Sequence, residues 1–334
     1  MSLEKEFEAL IGGNDEAATV EYWLDTGFPP LNHAISGSFD NGMPVGRVVE
    51  MFGGESSGKT AIATMVMAAA QRAGGIAVFM DHEHSFDMAH GESLGLSTDP
   101  NKFVYKTPDT FEQSITMAIK VAQMVRDKSL IPDEAPMVVV FDSLASMVPQ
   151  SKLMKDAEDY NMNDNTALAR ATSAVFPALA KFAEKNNMCF LFLNQIRQKI
   201  GVMFGDKTTT PGGDSPKYYS SVRIKLNRNK ITEERKGVKG NVFIGQHINA
   251  ECIKNKVSRP FMKAKWRFMF RDEDGSGFFD VAMSMIEYLN DLSLLEKSGN
   301  FIKWTDGKKY YPKALAKKLN EEGSVDELKA FLPS

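Results

Sequence analysis

The chain has 334 residues, of which 43% are apolar, 25% are charged and 39 are glycine or proline. That supports a large core in about two domains and excludes collagen, long disorder and a disulfide scaffold as whole-chain readings. Forty Lys and Arg against 43 Asp and Glu give a net charge of −3, which does not indicate a globally basic nucleic-acid binder. Cys189 and Cys252 each sit alone in an apolar run. With no stretch of about 18 apolar residues and no leader-like N-terminus, a soluble protein of the reducing cytoplasm is expected.

Residues 1–20 read as a short amphipathic helix carrying Leu3, Phe7, Leu10 and Ile11 and closed by Gly12-Gly13. Two or three turns cannot stand alone, so this segment is expected to pack on its own domain or on a neighbouring subunit. Short apolar runs then alternate with longer helical patterns. Strands are predicted over 47–52, 76–80, 137–141 and 188–193, and helices over 60–72, 111–127 and 167–185. The runs Met137–Phe141 (MVVVF) and Met188–Leu193 (MCFLFL) are continuous apolar segments, the pattern of parallel strands buried on both faces. This rhythm predicts an α/β fold with a mostly parallel sheet flanked by helices. Runs over 222–226, 248–253 and 266–270 are expected to form a short meander. From residue 273 a small α+β unit is predicted, with a helix over 283–292, a hairpin around Asp306-Gly307 and a helix over 313–319. The expected division is a contact segment over 1–20, a core over 21–272 and a small C-terminal domain over 273–334.

Gly53-Gly54-Glu55-Ser56-Ser57-Gly58-Lys59-Thr60 follows a predicted strand and opens a predicted helix, the context of a phosphate-binding loop. Its backbone N–H groups would cradle phosphates, Lys59 would reach the β and γ groups, and the Thr60 hydroxyl would ligate Mg²⁺. Asp142 ends an apolar strand at the edge where ligands bind in parallel sheets, and is assigned to the metal side in preference to a plain helix cap. Asp81-His82-Glu83-His84 lies at another strand end. Hydrolysis of a bound triphosphate needs a group that orients water; Glu83 is the candidate, with Asp81 second. The two histidines lack the further ligands of a zinc site.

Residues 194–205 (NQIRQKIGVMFG) leave a buried strand and lead into TTTPGG. The stretch mixes cations with apolar tips, which suits single-stranded DNA: cations track phosphates and apolar side chains meet bases. Read from the residues alone, a lid packing on its own domain fits nearly as well. Charge separates the two. Residues 195–271 hold 18 Lys or Arg and 5 Asp or Glu, a net of +13, while the remainder of the chain carries −16. Lys254 and Lys256, after a strand, are expected on one strand face. A polar stretch over 156–165 reads as a second loop, with Arg170 on the following helix facing whatever that loop contacts.

GGESSGKT, MDHEHSFD, VVVFDSLASMVP, NQIRQKIGVMFG and KNKVSRPF, in this order and at these separations, resemble the bacterial RecA recombinase family over roughly residues 20–330. The resemblance implies a RecA-like core and a DNA-dependent ATPase using ATP and Mg²⁺. It further implies helical filaments on single-stranded DNA and strand exchange with a homologous duplex. It assigns catalysis to Glu83 with Lys59, and nucleotide binding to residues 53–60. Gln195 is implied as the sensor of the γ-phosphate, and Asp87 and His90 lie near the base. Thr60 and Asp142 are assigned to the metal. The second DNA loop is implied to use Arg197, Lys199, Gly201, Val202, Met203, Phe204, Gly212 and Gly213, and Lys254 and Lys256 to reach ATP on the neighbouring subunit. His90 stands where the family usually has a tyrosine, and Pro177 where it has an arginine near DNA, which mark a divergent member. A ring-forming helicase motor and a nucleotide-binding paralogue are the alternatives. The 194–205 run argues against the first, and intact Lys59, Thr60, Glu83 and Asp142 argue against the second.

Overall fold

A computed structural model describes residues 5, 6, 10, 19–153, 155, 166–199, 208–235, 237, 239–272 and 275–333. Nine strands form one sheet: β1 (Arg47–Gly53), β2 (Ile76–Asp81), β3 (Phe103–Lys106), β4 (Met137–Asp142), β5 (Met188–Gln195), β6 (Val222–Glu234), β7 (Asn241–Asn255), β8 (Lys263–Phe270) and β9 (Gly277–Phe279). Their spatial order is β9-β8-β7-β6-β1-β5-β4-β2-β3. Pairing is parallel from β6 through β3 and antiparallel from β6 outward to β9. The α/β architecture with a mostly parallel sheet is therefore as expected.

The sheet separates two apolar layers because side chains alternate faces along each strand. Val49, Met51, Ala77, Phe79, Val138, Val140, Leu191 and Leu193 point to one layer, packed on helix α1 (Lys59–Arg72). Val48, Val78, Met80, Val139, Phe141, Phe190 and Phe192 point to the other, under α2 (Phe111–Asp127) and α3 (Ala167–Lys185). Helix α2 shows the local logic. The Thr110 side chain accepts from Gln113 N at its start, Glu112 and Arg126 suit the helix dipole at its two ends, and Phe111, Ile115, Ala118, Ala122 and Val125 make the buried stripe. Burying the five phenylalanines of the second layer contributes on the order of 2 kcal/mol each.

Two predicted boundaries change. The strands expected over 222–226 and 248–253 are the inner halves of a long hairpin, β6 with β7, paired out to Glu234↔Asn241. Beyond Leu226 the β6 side of the hairpin is mostly exposed, so its sequence lacks an apolar rhythm, while Gln246 and Ile248 on β7 are buried. Asn194 and Gln195, expected in a loop, are the last residues of β5. Toward the C-terminus, helix α4 (Val281–Asp291) and a three-stranded hairpin sheet over 297–310 precede α5 (Pro312–Glu322). Ala282, Ile286, Leu289, Trp304 and Leu315 join the same apolar cluster as the first layer. Among the described residues no helix is long and apolar enough to cross a membrane.

Candidate nucleotide and nucleic-acid site

The phosphate loop is shaped by the end of β1 and the start of α1. Gly58 caps α1 at φ +87°, a left-handed conformation, and a Cβ there would lie 2.5 Å from Ile248 Cδ1. The Gln246 amide braces the turn by donating to Ser56 O at 2.8 Å. Lys59 is buried and its ammonium donates to the carbonyls of Gly54 at 2.8 Å and Gly53 at 3.3 Å. Burial holds Lys59 below the usual lysine range, opposed by the nearby carboxylates of Asp142, Glu83 and Glu55.

Two strand ends, those of β2 and β4, deliver three carboxylates to this loop, with different fates. Asp142 is 4% exposed and its Oδ2 accepts from the Thr60 hydroxyl at 2.7 Å. Burial pushes its pKa up to about 6, and Glu83 and Asp81 add to the shift while Thr60 and Lys59 oppose it. Glu83 is exposed; its Oε1 accepts from Gln195 Nε2 at 2.9 Å, from Ser143 Oγ at 2.5 Å and from Ser146 Oγ at 3.2 Å. Asp81, the second candidate for orienting water, is withdrawn. It is fully buried, and its carboxylate accepts from the backbone N–H groups of Glu83, Ser85 and Phe86 and from the Tyr105 hydroxyl. It shapes the turn that presents Glu83 and has no free face toward a substrate.

Residues 55–61, Glu83, Asp142 and Gln195 line one cavity of about 540 Å³, walled on its far side by Phe243, Phe268 and Phe270. Its donor set fits a nucleotide with a divalent cation. Ser57 Oγ is buried with no hydrogen-bond partner among the described residues, and the Thr60 hydroxyl and Asp142 carboxylate form a pair of hard oxygen ligands suited to Mg²⁺. Asp87 and His90 sit outside this lining. Asp87 caps a short helix by accepting from His90 N, and His90 stands edge-on to Phe268 with ring centroids 6.3 Å apart.

The second loop departs directly from Gln195. Arg197 and Gln198 pair with Thr209 and Thr208 in a two-stranded ladder, so the ends of the loop are held together. Gly201, Val202, Met203 and Phe204 lie outside the described residues. The returning chain docks on α3. Thr172 Oγ1 donates to Gly212 O at 2.7 Å, and Gly213 (φ +72°) lies so close that a Cβ would fall 2.7 Å from Ala169 Cβ. Arg197, Gly212 and Gly213 line a groove of about 470 Å³ together with Ser146, Lys152 and Thr166. Arg170, one turn along α3, is exposed and donates to Thr166 Oγ1 at 3.2 Å. Lys199 is likewise exposed at the loop's entry.

Sequence reasoning passed over the clamp beneath this loop. Glu50, fully buried on β1, accepts from Asn194 Nδ2 at 2.9 Å and from Arg223 Nε at 2.6 Å. Asn194 also donates to Pro211 O, its Oδ1 accepts from Gln195 N, and Arg223 stacks over Phe52. One carboxylate thus ties both ends of the loop to the strand that enters the phosphate loop. Its signal was a charged residue at the centre of the apolar run RVVEMF, since a buried carboxylate requires a cation and hydrogen bonds.

The two lysines at the end of β7 are also placed differently from expectation. Lys254 lies in the strand while Lys256 is just beyond its end, so they do not share one strand face. The Lys254 ammonium donates to the carbonyls of Lys217 and Tyr218, capping the helix over 215–219. Burial first, then Lys256 and Arg223, lower its pKa to about 8. Lys254 is opposite Arg223, which in turn is level with Glu50, three residues upstream of Gly53. That is about 10 Å back from the chain's own phosphate loop. Lys256 lines a different surface with Tyr218, Tyr219 and Lys181. Pro177 is inside α3, half-buried on the helix that carries Arg170.

The model of the RecA N-terminal domain matches residues 4–275. The chain is similar to the RecA proteins of Citrifermentans bemidjiense (35% identical, 86% of this chain and 77% of the relative) and Clostridioides difficile (34%, 92% and 82%). The RecA protein of Heliobacterium modesticaldum is 36% identical over 89% of this chain and 79% of the relative. The chain belongs to the RecA family.

Proposed function

We infer that this member of the RecA family is an ATP-dependent DNA recombinase. It binds single-stranded DNA as a homo-oligomeric filament, pairs that strand with homologous duplex, and hydrolyses ATP in a DNA-stimulated reaction. The observation that carries the reading is the hydrogen bond between Glu83 and Gln195. It joins a group in the phosphate cavity to the residue from which the second loop departs.

Each residue then has a task. The N–H groups of 53–60 and Lys59 bind and neutralise the phosphates, and the Lys59 ammonium exchanges its contacts with loop carbonyls for phosphate oxygens. Thr60 and Asp142 would hold Mg²⁺, which would supply neutralisation of phosphate charge. Glu83 orients the attacking water. The Gln195 side chain has two orientations to choose between: aimed at Glu83 its amide restrains the carboxylate, and swung toward a γ-phosphate oxygen it releases Glu83 and pulls on the ladder at Arg197. Such order switching by a γ-phosphate links hydrolysis to the grip on DNA. Arg197, Lys199 and Arg170 would face DNA phosphates, with residues 201–204 meeting bases and Gly212 and Gly213 setting the return of the chain. Asp87 and His90 would lie beside the base, and Lys254 and Lys256 would serve ATP on an adjacent subunit. The division into 1–20, 21–272 and 273–334 belongs to the same proposal, the first segment contacting a neighbour.

ATP turnover measured with and without single-stranded DNA, alongside pairing of that strand with homologous duplex, tests the reading. Stimulated turnover with pairing is expected; turnover indifferent to DNA and no pairing would leave a nucleotide-binding paralogue and overturn it.

A further inference from the structure

Ser146 occupies the wall between the two cavities. The residue lines the groove that also holds Arg197, Gly212 and Gly213, while its hydroxyl donates to Glu83 Oε1, and Glu83 lines the phosphate cavity. It ends the single turn Leu144–Ser146 that follows Asp142 at the end of β4. Ser143, at the start of that turn, donates to the same oxygen at 2.5 Å, and the two serine hydroxyls lie 3.2 Å apart. Gln195 completes the set from β5.

Three donors therefore converge on one carboxylate oxygen. A carboxylate oxygen has two lone-pair directions, so the three compete, and the longest contact, that of Ser146, is the one most readily given up. Ser143 is fully buried and Gln195 is committed to the strand end, whereas Ser146 is half-buried and borders the groove. A polyanion entering the groove offers the Ser146 hydroxyl a phosphate oxygen as an alternative acceptor. The switch needs only rotation about one side-chain torsion, with no backbone rearrangement.

We propose that Ser146 is a positioning residue that reports occupancy of the groove to Glu83, in parallel with Gln195. With the groove empty, its hydrogen bond helps hold the Glu83 carboxylate away from water. With single-stranded DNA in the groove, the hydroxyl turns to a phosphate and Glu83 is released. The inference rests on the reading of Glu83 as the water-orienting group.

The test uses the full chain with ATP and Mg²⁺ and a homopolymeric single-stranded DNA. Ser146→Ala removes the donor, Ser146→Thr keeps it, and Glu83→Gln is run in parallel. Ser146→Ala is expected to raise DNA-free kcat by roughly 2- to 10-fold, the range one hydrogen bond commands, so that the ratio of DNA-saturated to DNA-free turnover falls. KM for ATP stays put because Ser146 does not line the phosphate cavity, and Ser146→Thr restores the original ratio. An unchanged ratio in Ser146→Ala, or a threonine variant behaving like alanine, overturns the proposal. A change confined to KM also overturns it. Failure of the underlying reading appears elsewhere, as turnover surviving in Glu83→Gln.

Discussion

The phosphate cavity and the groove beside it are built from the same strand ends by opposite means. The cavity's phosphate loop is contiguous: residues 53–60 form one turn and one helix start, which Glu83 and Asp142 approach from the ends of the adjacent strands β2 and β4. The groove gathers residues around 146, 166, 197 and 212 that share no local element. It is held by the buried Glu50–Asn194–Arg223 clamp and by the docking of Gly212 and Gly213 on α3. The phosphate loop is thus a property of local backbone geometry, whereas the groove depends throughout on distant tertiary contacts. Damage to the first should abolish chemistry and leave folding intact, and damage to the second should loosen the fold and the coupling together.

The sharpest separation is expected from Glu83→Gln. Turnover should drop by about 10²- to 10⁴-fold, the range of a lost acid–base group, with ATP affinity and melting temperature nearly unchanged. Steady-state kinetics with equilibrium nucleotide binding measures both. Glu50→Gln strikes the other region. Leaving Arg223 half-buried without its carboxylate should cost about 3–5 kcal/mol in urea unfolding, and Glu50→Gln with Arg223→Gln should recover part of that. If ATP turnover falls as steeply as stability in Glu50→Gln, the two regions are less separable than described.

Gly213→Ala is smaller. Forcing a Cβ into a left-handed residue against Ala169 should cost about 1–2 kcal/mol and weaken single-stranded DNA binding, with basal ATP turnover unaffected. The smallest effect is in pH. Asp142 has its pKa raised from 3.8 to about 6, chiefly by burial. The folded protein therefore binds a proton there that the unfolded chain releases, and Asp142's contribution to stability of the nucleotide-free protein grows as pH falls from about 6 toward 4. Mg²⁺ needs the ionised form, so Mg²⁺-dependent ATP affinity should move the opposite way. It should weaken by up to about tenfold per unit below pH 6, and Asp142→Asn should flatten that profile in a fluorescent-nucleotide titration.

Apart from the edge strand β3, which the sequence reading passed over, the strand-and-helix alternation from 47 to 193 was legible because its strands are continuous apolar runs and its helices carry the 3.6-residue stripe. The phosphate loop was legible because eight contiguous residues contain all of its geometry. Asp142 and Glu83 followed from standing at strand ends. Asp81, paired directly with Asp142, stood second to Glu83 as the water-orienting candidate, and only the ring of N–H donors and Tyr105 around it shows that its oxygens are fully used. The outer part of β6 was invisible because exposed strands need no apolar alternation.

Sequence by itself determined the α/β class, the phosphate-binding turn, its Lys59–Thr60 pair and the basic block over 195–271, because each is written in contiguous residues. Tertiary structure alone decided that Glu50 clamps both ends of the second loop, that Lys254 caps a helix, and that Ser143, Ser146 and Gln195 meet on one oxygen of Glu83. Those contacts join residues up to 173 positions apart, and a hydrogen bond is set by distance in space, which sequence order does not fix until the sheet has been assembled.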